Sequence, residues 1–288
     1  MRKSYIWLLL IIICSFQLSG CSRKIDGDAK LDSDVKINGD TKLDGNVKID
    51  SNVKLDSTAK MVNKAMTVEE YPSCIRLGNY VGVAVELPEN KKITDEDIQE
   101  QIAYALKGTG ESTLTSQNVK AVSGYDSIEE YKKVIKKNLE KLNESSRQNE
   151  LMNRAWDAAL KQAVLIKYPK DMLDAQITQV KAGYKGYIGV FGKSYEEVLK
   201  YFGVTEEDIQ TKALNYVKSD LLVYAIAKAE NIAVNEEEYK HEVKQRIKFF
   251  GVATEKELAD KMGNGTDLHF VFLADRVMQF VYENAQSL

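Results

Sequence analysis

The side chains able to do chemistry are few and scattered. His241 and His269 lie in separate helical patterns, and neither has a His or Cys at metal-ligand spacing. Serines and acids are plentiful, but none sits in a nucleophile motif. Pairs such as Glu196-Glu197 and Glu206-Glu207 fall at helix starts, where the helix dipole favours negative charge. Glycines 183, 186, 189 and 192 recur every third residue, which is not the spacing of a phosphate loop, and no Gly-Lys-Ser/Thr ending follows. In a helix each costs about 1 kcal/mol relative to Ala. They would serve close packing or local bending, beside the apolar Tyr184, Tyr187, Ile188, Val190 and Phe191. Three cysteines, Cys14, Cys21 and Cys74, make no disulfide framework and no metal site. Cys74 reads as a small buried apolar residue, with an intermolecular or reactive thiol as the alternative. No cofactor and no metal are expected, and no catalytic residue is assigned.

Cys21 stands apart because of what precedes it. Arg2 and Lys3 are followed by a nearly continuous apolar run from Tyr5 to Phe16, then Leu18-Ser19-Gly20-Cys21. This is the layout of a secretory signal peptide with a cysteine at its cleavage site. A membrane-spanning helix, the alternative, needs about 20 apolar residues, more than this run offers. The tetrad resembles the lipobox of bacterial lipoproteins. That resemblance implies a diacylglyceryl group on the Cys21 thiol and cleavage just before it. Each buried methylene is worth about 0.8 kcal/mol, and two chains together give stable anchoring. The expected location is the extracytoplasmic face of the cell membrane.

The elements that follow begin with a repeat. From Lys24 to Ala59 the units KIDGDA, KLDSDV, KINGDT, KLDGNV, KIDSNV and KLDSTA keep a period of six. That period smears apolar positions around an α-helix, and Asp, Asn, Gly and Ser favour turns. Two forms suit it: a flexible, charge-balanced spacer, or short strands stacked as a left-handed β-helix of about two coils. Asp26-Gly27-Asp28 hints at calcium, but a bidentate Glu at the twelfth position is missing and lysines offset the carboxylates.

Beyond Met61 the composition becomes helical. Prolines are confined to Pro72, Pro88 and Pro169, and Lys, Glu, Ala and Leu abound. Helix starts are marked by capping-box pairs: Thr94 with Asp97, Ser127 with Glu130, Ser194 with Glu197, Thr205 with Asp208, Asn235 with Glu238, and Thr254 with Glu257. The spacing predicts helices near 94–107, 127–164, 169–191, 194–202, 205–230, 235–250, 254–262 and 266–285. Ile209, Ala213, Tyr216, Val217, Leu221, Tyr224 and Ala227 form one apolar stripe, read as core. Ile75 to Glu86 alternates Val81, Val83 and Val85 with small residues and reads as a strand or extended arm ended by Pro88. The formal net charge of −3 has no basic stripe behind it, so no nucleic-acid partner is expected.

The order of these parts resembles the bacterial trigger factor family. RLGNYVGVAVELPENKKITDEDIQEQI is similar to that family's arm, with its Leu-Gly-x-Tyr-x-Gly phrase before a Thr-Asp-Glu-Asp helix start. LTSQNVKAVSGYDSIEEYKKVIKKNLEKLNESSRQNELMNRAWDAALKQA resembles the start of its C-terminal chaperone domain. The segments YPKDMLDAQITQ, YEEVLKYFGVTEEDIQTKALNYVKSDLLVYAIAKAENIAVNEEEY and VMQFVYENA resemble the remaining body helices. The resemblance covers roughly 67–288. It implies a mainly α fold: an extended multi-helix body of the trigger-factor C-terminal kind with a short β or extended arm, preceded by the hexapeptide-repeat spacer. The organisation expected is a signal peptide at 1–20, a lipidated N-terminus and spacer at 21–66, and a helical chaperone domain at 67–288.

Two family parts are not expected here. A signal peptide, lipobox and hexads stand where the family has its ribosome-docking domain with a Gly-Phe-Arg tip, so no ribosome partner is expected. Where the family inserts an FKBP-type prolyl isomerase domain, only Lys107-Gly108-Thr109-Gly110-Glu111-Ser112 joins arm to body. Six residues cannot build an aromatic-lined isomerase pocket, so that activity would be a family label only. The resemblance then implies a lipid-anchored holdase acting on unfolded secreted chains without ATP. Tyr184, Tyr187, Ile188, Val190 and Phe191 are its candidate client surface. The alternative is a non-catalytic envelope scaffold for one folded partner.

Overall fold

A computed structural model describes residues 59–287, apart from 108, 264 and 265. The signal peptide, Cys21 and all of the hexads but Ala59 lie outside the described residues. Within them the chain is mainly α, with a few two- and three-residue strands. The helices are α1 (Asp95–Leu106), α2 (Val119–Ser123), α3 (Ile128–Gln162), α4 (Lys170–Lys185), α5 (Tyr187–Phe191), α6 (Tyr195–Phe202), α7 (Glu206–Glu230), α8 (Glu236–Phe250), α9 (Glu255–Gly263) and α10 (Leu268–Glu283).

The predicted caps form. Thr94, Ser194, Thr205 and Asn235 each accept from the backbone N–H three residues on, and the acid at that position reaches back to the cap, completing four capping boxes. Ser127 accepts from the Glu130 N–H, and Thr254 from the Glu257 N–H at 3.1 Å. Each cap removes an orphan donor and is worth about 1 kcal/mol. Helix ends are set by left-handed residues: Gly192, Gly203 and Gly251, and Asn231 at φ 55°.

The centre of the molecule is built from the second halves of α3 and α7 together with α10. Leu151, Ala155, Trp156, Val217, Leu221, Leu222, Ile226, Val277 and Val281 pack there. A stripe was expected on α7. Instead its second half is buried nearly all round, because α3, α4, α10 and the turn at Tyr71–Cys74 surround it. Lys218, Ser219 and Asp220 are carried inside with it. The Trp156 indole N–H donates to Ser219 Oγ at 3.1 Å, and the Gln176 amide donates to Asp220 Oδ2 at 2.8 Å. A buried polar group without such a partner would cost about 1–3 kcal/mol.

Three smaller clusters serve the extensions. Ile98, Ile102, Leu106 and Ile135 join α1 to the first part of α3. Val180, Leu199, Ile209 and Ala213 join α4, α6 and the first part of α7. Tyr239, Val243, Leu258, Met262 and Phe272 join α8, α9 and α10. At 1.5 Å per residue α3 alone runs about 50 Å, far longer than one small core can cover.

The segment expected as a strand or extended arm from Ile75 to Glu86 is an arm with short ladders at its two ends. β2 (Ile75–Arg76) runs antiparallel to β4 (Val164–Leu165), and β3 (Ala84–Val85) runs parallel to β6 (Gln286–Ser287). Between them the backbone lies along other elements. Gly78 comes so close to Gln162 that a Cβ there would stand 2.5 Å from its carbonyl oxygen. The Tyr80 hydroxyl donates to Glu230 at 2.7 Å, and Arg154 donates to the Glu86 carbonyl at 2.8 Å. Ahead of this arm, β1 (Lys60–Val62) pairs in parallel with β5 (Lys167–Pro169).

Candidate functional site

The apolar side chains left open to water gather at the end of the α4–α6 extension. α4 starts at Pro169, whose missing N–H and fixed φ suit a helix start, and lies along α7. Helix was expected to continue from 169 to 191. It breaks at Gly186, and the short α5 follows. α5 stops at Gly192 with φ 61°, a conformation that favours glycine, and Ser194 then caps α6. This reversal brings the start of α5 against the end of α6.

Five rings meet there. Phe202 is the hub, with centroids 5.0 Å from Tyr187, 5.3 Å from Tyr201, 5.9 Å from Tyr184 and 6.1 Å from Phe191. Tyr187 stacks on Phe191 at 5.6 Å, and Phe191 lies 5.1 Å from Tyr201. These are favourable aromatic separations, worth about 0.5–1.5 kcal/mol per pair. The rings nonetheless stay wet: Tyr201 is 64% exposed, Tyr187 43% and Phe202 38%, and Val190 on α5 is 63% exposed. Tyr184, Ile188 and Phe191 are half-buried. All five residues singled out in the sequence thus lie on this one extension. Tyr201 and Phe202 were missed. Their signal was present in the apolar face Tyr195, Val198, Leu199 and Phe202, which ends beside an additional tyrosine just before Gly203.

Close packing does not account for these glycines. A Cβ at Gly183, Gly189 or Gly192 would meet nothing within 4 Å. Of the three only Gly192, at φ 61°, takes a backbone conformation that favours glycine.

Cations lie on the inner side of the extension, beside Tyr184 and two rings outside the cluster. Lys185 Nζ sits 5.8 Å from the Tyr195 ring, and Lys212 Nζ lies 5.9 Å from both Tyr184 and Tyr216. Burial holds the Lys212 ammonium below its ordinary value, and burial pushes the Tyr184 and Tyr216 phenols up. Lys181 pairs with Glu206 at 2.7 Å, fixing α4 to the start of α7.

Other places offer less. A hollow beside Ile232, Arg276, Gln279 and Phe280 is wide open, and its Arg276 is already bound to Glu238 and the Ala233 carbonyl, both at 2.8 Å. A second hollow lies by Tyr239, Lys256 and Asp267. There His269 stacks on Tyr239 at 3.7 Å, and the Tyr239 hydroxyl bonds to Glu255. His241 is exposed on α8. Cys74 is fully buried, its Sγ 3.6 Å from Met66 Sδ, and burial raises its thiol. No described helix is long and apolar enough to cross a membrane.

Comparison with known proteins agrees with the helical frame. Residues 127–282 match the family model described as the bacterial trigger factor protein C-terminus. The trigger factor of Caldicellulosiruptor saccharolyticus is 26% identical over 182 residues, covering 61% of this chain and 41% of that protein. That of Finegoldia magna is 28% identical over 162 residues, 55% of this chain and 37% of that protein. That of Caldanaerobacter subterraneus is 28% identical over 202 residues, 66% of this chain and 46% of that protein. The chain thus spans less than half the length of these curated relatives. With the matched region running from the cap of α3 almost to the end of α10, the chain belongs to the trigger factor family.

Proposed function

We propose that this chain is a holdase chaperone that binds unfolded or partly folded secreted polypeptides while tethered to the membrane through lipid on Cys21. The observation that carries the first half is the ring cluster around Phe202. Tyr187, Val190, Tyr201 and Phe202 stay open on an extension that already has its own buried core in Val180, Leu199, Ile209 and Ala213. Each half-exposed ring forgoes on the order of 1 kcal/mol of burial. A client segment that covers the rings recovers that energy in small, separable steps, which suits weak binding and fast release. Binding of this kind needs no nucleotide and no reacting group. The tether rests on Leu18-Ser19-Gly20-Cys21 behind its apolar run, and the clients follow from the location.

The chaperone reading is tested by aggregation of a chemically denatured client, with the chain lacking residues 1–20 added in increasing excess. Light scattering should fall in proportion to the chaperone. A joint Tyr187→Ser, Tyr201→Ser and Phe202→Ser variant should lose most of that protection. Full protection by the variant would remove the rings from the account. Metabolic labelling with a radioactive fatty acid tests the tether: label should enter the wild-type chain and vanish with Cys21→Ala. Equal label in both would refute it.

A further inference from the structure

Asp220 has no part in the proposed client surface, yet it lies in the middle of α7 and is almost sealed from water. Its Oδ2 accepts from the Gln176 Nε2–H at 2.8 Å. Gln176 belongs to α4, the helix that carries the ring cluster at its far end. The other end of the same amide, Gln176 Oε1, is buried and has no partner. An ionised carboxylate is an acceptor only and can never satisfy that oxygen. A protonated carboxyl gains an O–H donor. A carboxylic acid and a carboxamide can then pair through two hydrogen bonds, N–H to carboxyl oxygen and O–H to amide oxygen.

We propose that Asp220 and Gln176 form a proton-dependent clasp between α7 and α4, closed when Asp220 carries a proton and weakened when it is ionised. The surroundings favour the neutral form. Tyr224, one turn along α7, and Tyr71, from the turn at Tyr71–Cys74, are phenols in the same environment. The charges these two phenols feel are acidic: Asp267 at the start of α10 and Asp220 itself act on Tyr224, and Asp171 in the first turn of α4 acts on Tyr71. Lys218 is two residues away on α7, a spacing at which helical side chains do not face each other. Burial raises the Asp220 carboxyl to about 7, and only the Gln176 hydrogen bond is set against it.

The sign follows. The folded chain keeps a proton that the unfolded chain releases between 3.8 and about 7. Stability contributed by the clasp is therefore lost as pH rises through that window. The footing of α4, and with it the ring cluster, is firmer in mild acid than in mild alkali.

The direct test is carboxyl-carbon NMR of the chain lacking residues 1–20. Asp220 should titrate near neutrality, and a midpoint in the ordinary carboxylate range overturns the clasp. Asp220→Asn supplies the same N–H and C=O pair at every pH. Its unfolding equilibrium constant should lack a rise of about tenfold per pH unit that the wild type shows between roughly pH 5 and 7. Amide exchange in α4 should quicken from pH 5.5 to 8, after correction for intrinsic rates, in the wild type alone. Equal pH slopes in the two chains would overturn the proposal, and the wild-type NMR midpoint decides even if the variant fails to fold.

Discussion

The second half of α7 and the end of the α4–α6 extension are both rich in large apolar side chains, yet they treat them oppositely. Around α7, Leu221, Leu222, Val223 and Ile226 are all buried, and even Lys218, Ser219 and Asp220 are drawn inside. Around Phe202 the rings touch each other but not a covering layer. The difference lies in partners rather than in composition. α7 is enclosed by α3, α4, α10 and the turn at Tyr71–Cys74, whereas α5 and α6 pack on one side only, against α4 and, through Leu199, the first part of α7. Apolar surface without a covering layer is available to something else.

Substitutions can break this contrast or sharpen it. Ile226→Ala, in the enclosed region, should cost about 2–5 kcal/mol. Denaturant unfolding reads this, while client protection per folded molecule stays unchanged. Gly78→Ala should cost about 1–3 kcal/mol, because its Cβ would press on the Gln162 backbone and side chain together. Tyr201→Ser, in the open region, should shift stability by about 0.5 kcal/mol or less. It should nonetheless reduce client protection several-fold, the reverse of the Ile226 outcome. Gly183→Ala has free space at its Cβ and should stabilise the chain by about 0.5–1 kcal/mol. If bending of α4 matters for clients, protection should fall while thermal stability rises; unchanged protection would confine the glycines to a neutral role.

What could be read in the sequence was local. A cap and its acid are three residues apart, so each of the six helix starts announced itself. Gly192, Gly203 and Gly251 take left-handed φ values just past the helix limits expected at 191, 202 and 250. The break at Gly186 was hidden because its backbone remains in ordinary helical territory, at φ −57° and ψ −26°. The arm from Ile75 was read as strand or extended arm; its alternating valines could not reveal which stretches would find a partner, and β4 and β6 pair with its two ends. The rings showed the same limit. Tyr184, Tyr187 and Phe191 shared one helical pattern, but Tyr201 and Phe202 join them only through the turn at Gly192. The partner of buried Asp220 is Gln176, forty-four positions earlier, and no periodicity within α7 predicts it.

The most direct measurement places a photoreactive amino acid at Tyr201, and separately at Tyr104, in the chain mixed with a denatured client. Tyr104 is a fair control, being 71% exposed on α1, where Lys107 lies 5.7 Å from its ring centre. The account predicts strong client adducts from position 201 and weak ones from position 104, with the adducts from 201 disappearing once the client has folded. Adducts of equal strength from both positions, or none from 201, would contradict it.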